Sequence, residues 1–184
     1  MHDLYRNARC HGRGGFTLVE LMIAIGVIAI LSAIAVPGVV SWLPNYRLKS
    51  AARDLYSAAT KAKGAAVKRN LNCALTFNQV LGGTTAAYIV YVDSDSDCEY
   101  DFGETIITQI QAWPKQISLD LSKGGGDGLT FTNNDDGNPT ISFRPIGIPT
   151  GNGGGFANGT AFLTNTNGQT RSVVINNVGN VKIK

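Results

Sequence analysis

Twelve residues, DSDSDCEYDFGE from Asp93 to Glu104, hold six acids and no base. Asp93, Asp95, Asp97, Asp101 and Glu104 stand at the first, third, fifth, ninth and twelfth positions, the spacing by which a loop surrounds a hard cation with carboxylate oxygens. Calcium is the cation that such a loop selects, so these five residues are candidate ligands. Cys98 stands where the sharp turn of a calcium loop takes glycine, and the residues leading in read as a strand. A helix-loop-helix calcium module is thereby excluded. A calcium site on a β loop and a solvated acidic turn both remain open.

Other chemistry is sparse. His2 and His11 both precede Gly14, so the chain beyond that point has no imidazole for a catalytic triad or a zinc site. The remaining acids do not flank a cleft in sequence as a glycosidase pair would, and KGGGDG and TGNGGGFANG lack the lysine and following helix of a phosphate loop. An enzyme is not expected. Cys10 also lies in the leading segment, leaving Cys73 and Cys98 in the remainder. In an oxidising compartment two cysteines suggest one bridge, worth roughly 3 to 4 kcal/mol by loop entropy; two unpaired core thiols are the alternative.

The elements that position these residues follow from periodicity. After Asn72 apolar residues recur with period two in CALTFNQV, AAYIVYV, TIITQIQ, QISLDL, LTFT, TISFR, TAFLT, RSVVIN and NVKIK, separated by Gly, Asn and Asp clusters. Asn167-Gly168 is the clearest hairpin turn. Before Asn72 the period is helical: Leu48, Ala52, Leu55, Ala59, Ala62 and Ala66 form a narrow stripe of mainly small side chains, which lets a sheet approach closely. The helix is predicted over Phe16 to about Asn70, roughly 80 Å at ~1.5 Å per residue. Cations from Arg47 to Arg69 line its other faces, a solvated surface or one that meets acidic loops or phosphate.

The first part of that helix, GGFTLVELMIAIGVIAILSAIAVPGVVSW, is apolar for longer than the about 20 residues that cross a bilayer. Arg6, Arg9 and Arg13 precede it, so the positive-inside rule places the N-terminus in the cytoplasm and everything after Trp42 outside. One acid, Glu20, lies within the run. A lone charge at membrane depth costs roughly 2.5 to 3.5 kcal/mol on insertion scales, so it calls for a partner. The small residues Gly14 and Gly15 stand before the apolar run, so a cut between Gly15 and Phe16 removes the basic leader and keeps the helix. Pro37 and Pro44 permit a kink or local melting.

Gly15, Phe16, Thr17-Leu18-Val19-Glu20 and a spanning segment with Pro37 near its outer end resemble the class III signal and first helix of type IV pilins and type II secretion pseudopilins. The resemblance implies that a prepilin peptidase cleaves after Gly15 and methylates the new amine of Phe16. It also implies that Glu20 meets the Phe16 amine of the neighbouring subunit during assembly, since a buried acid beside a buried amine is cheaper than either alone.

The signal and helix, the basic stretch ending KRN, the strand YIVYVDSDSD with Glu104, and the ending RSVVINNVGNVK extend the likeness to nearly the whole chain. Together they resemble the GspH/FimT family of minor pseudopilins and minor pilins. The implied fold is α+β and pilin-like, a long N-terminal transmembrane helix packed on a C-terminal antiparallel β-sheet domain. Its divisions are a cleaved leader (1–15), a membrane half of the helix (16–40), a periplasmic half (41–70) and a β-rich head (71–184). The implied role is a structural subunit near the tip of a type II secretion pseudopilus or a type IV pilus.

Its partners would be other pilins or pseudopilins, the prepilin peptidase, the inner-membrane assembly platform, membrane lipid, and secreted substrate or DNA. It would be a single-pass protein of the bacterial inner membrane with a periplasmic head, or extracellular in a true pilus. FimT-type relatives bind DNA through a basic tail of the form G-R-x-R, which makes Lys182 and Lys184 candidate DNA contacts. Here the tail reads Gly179-Asn180-Val181-Lys182, without the first arginine and with lysine for the second.

Overall fold

Arg69 ends a helix and Asn70 turns the chain, and each does so for a local reason. Asn70 adopts φ +55°, the left-handed conformation that closes helices, and Lys68 and Arg69 place positive charge where the helix dipole is negative. The computed structural model describes residues 15–184. The leader before Gly15, with His2, Cys10, His11 and the arginines at 6, 9 and 13, lies outside the described residues. Helix α1 runs over Leu18–Arg69 and is assigned without a break through positions 37 and 44, so neither proline melts it.

Two compact units divide at Val40. In the first, Leu18–Val36 has a mean hydropathy of 2.6 and none of it is buried. In the second, Ser41–Lys184, the rest of α1 packs on a β domain. Leu48, Ala52, Leu55, Ala59, Ala62 and Ala66 are all buried, as their spacing predicts, and Ala59, Ala62 and Ala66 have no exposed surface. Alanine at these turns lets the helix backbone lie close to the sheet.

Eleven strands follow. They are β1 (Asn72–Phe77), β2 (Val80–Leu81), β3 (Thr84–Thr85), β4 (Tyr88–Asp93), β5 (Ile106–Ile110) and β6 (Ile117–Leu119), then β7 (Thr140–Phe143), β8 (Pro149–Thr150), β9 (Gly159–Asn165), β10 (Thr170–Ile175) and β11 (Val181–Ile183). The strands pair antiparallel and form a five-stranded sheet in the order β5-β4-β1-β7-β8, a four-stranded sheet β11-β10-β9-β6 and a small hairpin β2-β3. One face of the larger sheet, with Cys73, Leu75, Phe77, Tyr88 and Val90, joins the helix core. The opposite face carries Ala74, Ile89 and Tyr91 under Leu81, Tyr100 and Ile106.

Alternation therefore fails at the centre: β1 is buried at five of its six positions and all six of β4 are buried, because each strand is covered on both sides. The hairpin at Asn167-Gly168 forms as predicted, with Gly168 at φ +73° and the Asn165 side-chain carbonyl accepting from the N–H groups of Asn167 and Gln169. LTFT, predicted as a strand, makes only an isolated bridge between Leu129 and Ala161. Thr160 N–H donates to the Thr130 hydroxyl and Gly128 N–H to the Lys123 carbonyl, so the pairs on either side of the bridge lack a second backbone bond and the ladder does not extend.

Candidate functional site

Two places hold the residues singled out by sequence. The first is the start of α1. Gly15 and Phe16 are exposed, and no neighbouring heavy atom lies within 4 Å of where a Cβ on Gly15 would stand. Glu20 N–H donates to Thr17 Oγ1 at 3.2 Å, and Thr17 N–H donates over a long 3.5 Å to Glu20 Oε2. This reciprocal pair is a capping box that satisfies two otherwise orphan amides of the helix end. It holds the Glu20 carboxylate back toward Phe16 and gives it a local partner. Thr17 was not singled out by sequence, although the T-x-x-E spacing before an apolar run carries its signature.

The second place is the acidic turn, which leaves β4 at Asp93 and returns to β5. Asp93 has no exposed surface. Its Oδ1 accepts from Ser96 N–H at 2.8 Å, and its Oδ2 accepts from Cys98 N–H at 3.3 Å and from the Ser142 hydroxyl at 3.2 Å. Burial raises the Asp93 carboxyl above its ordinary value, and these three donors oppose the shift. Glu104 closes the turn from the other side, accepting Ser94 N–H at 2.7 Å and Asp101 N–H at 3.2 Å. Tyr100 then packs edge-on against Tyr91, with ring centroids 5.4 Å apart. The turn thus covers the back face of the five-stranded sheet.

Of the five candidate cation ligands the structure brings together three: one carboxylate oxygen each from Asp93, Asp95 and Asp97 lies within 4.8 Å of the others. Asp101 and Glu104 fall outside that group. Calcium takes six to eight oxygens, and here Asp93, one of the three contributors, is already engaged by three protein donors. The donor set has the right chemistry but only part of the required number. Sequence spacing put all five acids in register because it could not show that Asp93 and Glu104 receive the turn's own amides.

The expected bridge between Cys73 and Cys98 is not formed: both are free, buried thiols. The topology gives the reason. Cys73 lies on the helix face of β1, whereas Cys98 is folded against the opposite face beside Asp93 and Ser142. Burial raises both thiols, Cys98 to about 11 with help from the nearby carboxylates of Asp93 and Asp97. Lys182 and Lys184 lie exposed on and just after β11, the outer strand of the four-stranded sheet. The strands that bound the acidic turn belong to the other sheet.

Similarity to known proteins runs the length of this arrangement. Residues 51–179 match the family described as type II transport protein GspH, and residues 10–36 match the prokaryotic N-terminal methylation motif. The pilin-like protein PilA1 of Thermus thermophilus is 32% identical over 178 residues, 94% of this chain and 99% of that protein. The prepilin peptidase-dependent protein D of Escherichia coli is 54% identical over 41 residues, 22% of this chain and 25% of its own. The crystal structure of the type IV minor pilin FimU of Pseudomonas aeruginosa superposes with a TM-score of 0.49 at 12% identity, over 76% of this chain and 90% of that one.

Proposed function

Because this chain belongs to the GspH family of type II transport proteins, whose members are structural pilin-like subunits and not enzymes, we propose that it is a minor subunit of an envelope filament. It is held in the inner membrane before assembly and built into the filament through α1. We put a type II secretion pseudopilus first, a reading supported by the family description, and a type IV pilus second, supported by the likeness to a pilin-like protein. The single observation that carries the reading is the uncovered apolar stretch Leu18–Val36 with Glu20 as its only ionisable side chain. A helix apolar on all sides finds its partners in lipid or in other such helices.

The proposed sequence of events uses the helix start. Cleavage after Gly15 frees the amine of Phe16, and methylation keeps it basic. In the isolated subunit Glu20 is satisfied by the cap with Thr17. In the filament the Phe16 amine of the next subunit supplies a charged partner, so the pairing sets axial register. Dipole and charge act in the same direction, since an anion is favoured in the first helical turn.

N-terminal sequencing and intact mass of the chain recovered from membranes test this directly. A methylated Phe16 at the N-terminus is expected, and a chain still beginning at Met1 ends the reading. Glu20→Ala is expected to be cleaved normally yet absent from sheared filaments. Loss of extracellular enzymes on deletion of the chain would place it in secretion, and loss of surface pili or of DNA uptake would place it in the second system.

A further inference from the structure

Along the seam between α1 and the four-stranded sheet lie three adjoining hollows of about 260, 270 and 310 Å³. The first two share Lys49 and Arg171, and the third continues one helical turn on, at Tyr56 and Thr60, beside Val181 and Lys182. From Trp42 to Lys63 the seam extends roughly 30 Å at ~1.5 Å per helical residue. Its charged lining is all of one sign: Lys49, Arg53, Lys63, Arg171 and Lys182, with no carboxylate among the lining residues. Lys63 donates to the Gly179 carbonyl at 2.9 Å. Among the described residues no acid lies within ion-pair distance of any of these five.

The sheet ends on this seam. Strand β11 is the outermost of its sheet. Ser172 and Lys184 exchange both of their backbone hydrogen bonds, and Asn176 N–H donates to Asn180. In an antiparallel ladder every second residue faces its partner in this way, so the N–H and C=O of Val181 and Ile183 point outward from the edge. An unpaired edge of this kind is a template for an added strand, and natural proteins blunt such edges with lysine, as Lys182 and Lys184 do here.

We propose that the seam is a docking groove for an extended acidic polypeptide segment of a partner protein, which adds as a strand to β11 at Val181 and Ile183 while its carboxylates meet Lys49, Arg53 and Arg171. Two independent features select this occupant. The one-signed lining calls for an anion. The free edge calls for a peptide backbone, which returns both a donor and an acceptor at each alternate residue. A nucleic acid would answer the charge and leave the edge unpaired. This groove stands apart from the filament reading, because every residue that lines it belongs to one chain.

The test is fluorescence anisotropy of the full chain in detergent with two probes, a labelled peptide alternating Glu and Val and a labelled thymidine oligonucleotide. Lys49→Glu with Arg53→Glu is expected to weaken the peptide at least about tenfold. Ile183→Pro removes only an outward N–H, which an edge strand tolerates, and is expected to weaken the peptide while leaving any oligonucleotide binding unchanged. Hydrogen exchange of the Val181 and Ile183 amides is expected to slow when the peptide is added, and this measurement holds even if Ile183→Pro misfolds. Peptide binding that is indifferent to the charge reversal, unslowed exchange at these two amides, or an oligonucleotide that binds more tightly than the peptide would overturn the proposal.

Discussion

Asp93 orders the turn that its neighbours decorate. Three protein donors converge on its buried carboxylate, while Asp95 and Asp97 stay exposed. Hydrogen bonds to a charged group contribute about 1.5 to 3 kcal/mol each when the partner would otherwise be stranded. Asp93→Ala is therefore expected to lower stability in urea by about 2 to 4 kcal/mol, because Cys98 N–H and the Ser142 hydroxyl lose their acceptor inside the fold. Asp93→Asn keeps an acceptor oxygen and should retain most of that. A loss as small for Ala as for Asn would show that solvent replaces the carboxylate. Cys98 sits under the same turn with its thiol pushed up to about 11, chiefly by burial. At pH 8 on the order of one part in a thousand would be thiolate, so Cys98 should resist iodoacetamide in the folded chain. In denaturant without reductant both Cys73 and Cys98 should be alkylated, and protection of both by mass spectrometry would restore the bridge.

At the scale of elements, α1 and the sheet meet through alanine. Ala62 has no exposed surface, so a larger side chain there has no space to enter. Ala62→Leu is expected to destabilise the chain by about 1 to 3 kcal/mol through overpacking, whereas its exposed neighbour Lys61→Ala should stay within about 0.5 kcal/mol. Equal effects at both sites in urea unfolding would mean that the helix does not seat on the sheet as described. This stripe was legible in sequence because its 3.6-residue period persists over five turns, and most strands were legible by their period of two. What sequence could not show was competition for edges and faces. LTFT has the pattern of a strand, but Thr160 N–H pairs with the Thr130 hydroxyl and Gly128 N–H with the Lys123 carbonyl, so its ladder with β9 stops at one bridge. The two-residue strands β2, β3 and β8 are too short to carry a period. Cys73 belongs to the helix-side core while Cys98 is held by Asp93 in the acidic turn, a fact of topology that no spacing records. The cap by Thr17 has its signature in the T-x-x-E spacing before an apolar run, and the bond from Glu20 N–H to Thr17 Oγ1 realises it.

For the whole molecule, the division at Val40 separates two stretches with different surfaces. Before it every described side chain of Leu18–Val36 is uncovered and apolar apart from Glu20 and small polar Ser32, which water does not accommodate. After it the helix buries its stripe, and the β9–β10 loop grips its first turns: Asn165 Nδ2 donates to Asn45 Oδ1 at 2.7 Å and Asn167 Nδ2 to the Ser41 carbonyl at 3.0 Å. Arg47 adds a bond of 2.7 Å to Gln116 Oε1. These contacts between the helix and the head lie from Ser41 onward, within one compact unit, and a chain that starts there retains them. Such a fragment is expected to be monomeric and soluble without detergent, and to unfold in urea with a midpoint equal to that of the full chain in a mild detergent. The full chain without detergent should pellet or form large assemblies, since its apolar helix has only other copies to pack against. The discriminating measurement is sedimentation of both chains with and without detergent. A full chain that stays monomeric in plain buffer would mean that Leu18–Val36 finds cover within its own molecule, and a fragment from Ser41 that fails to fold would mean that the head depends on the segment before it.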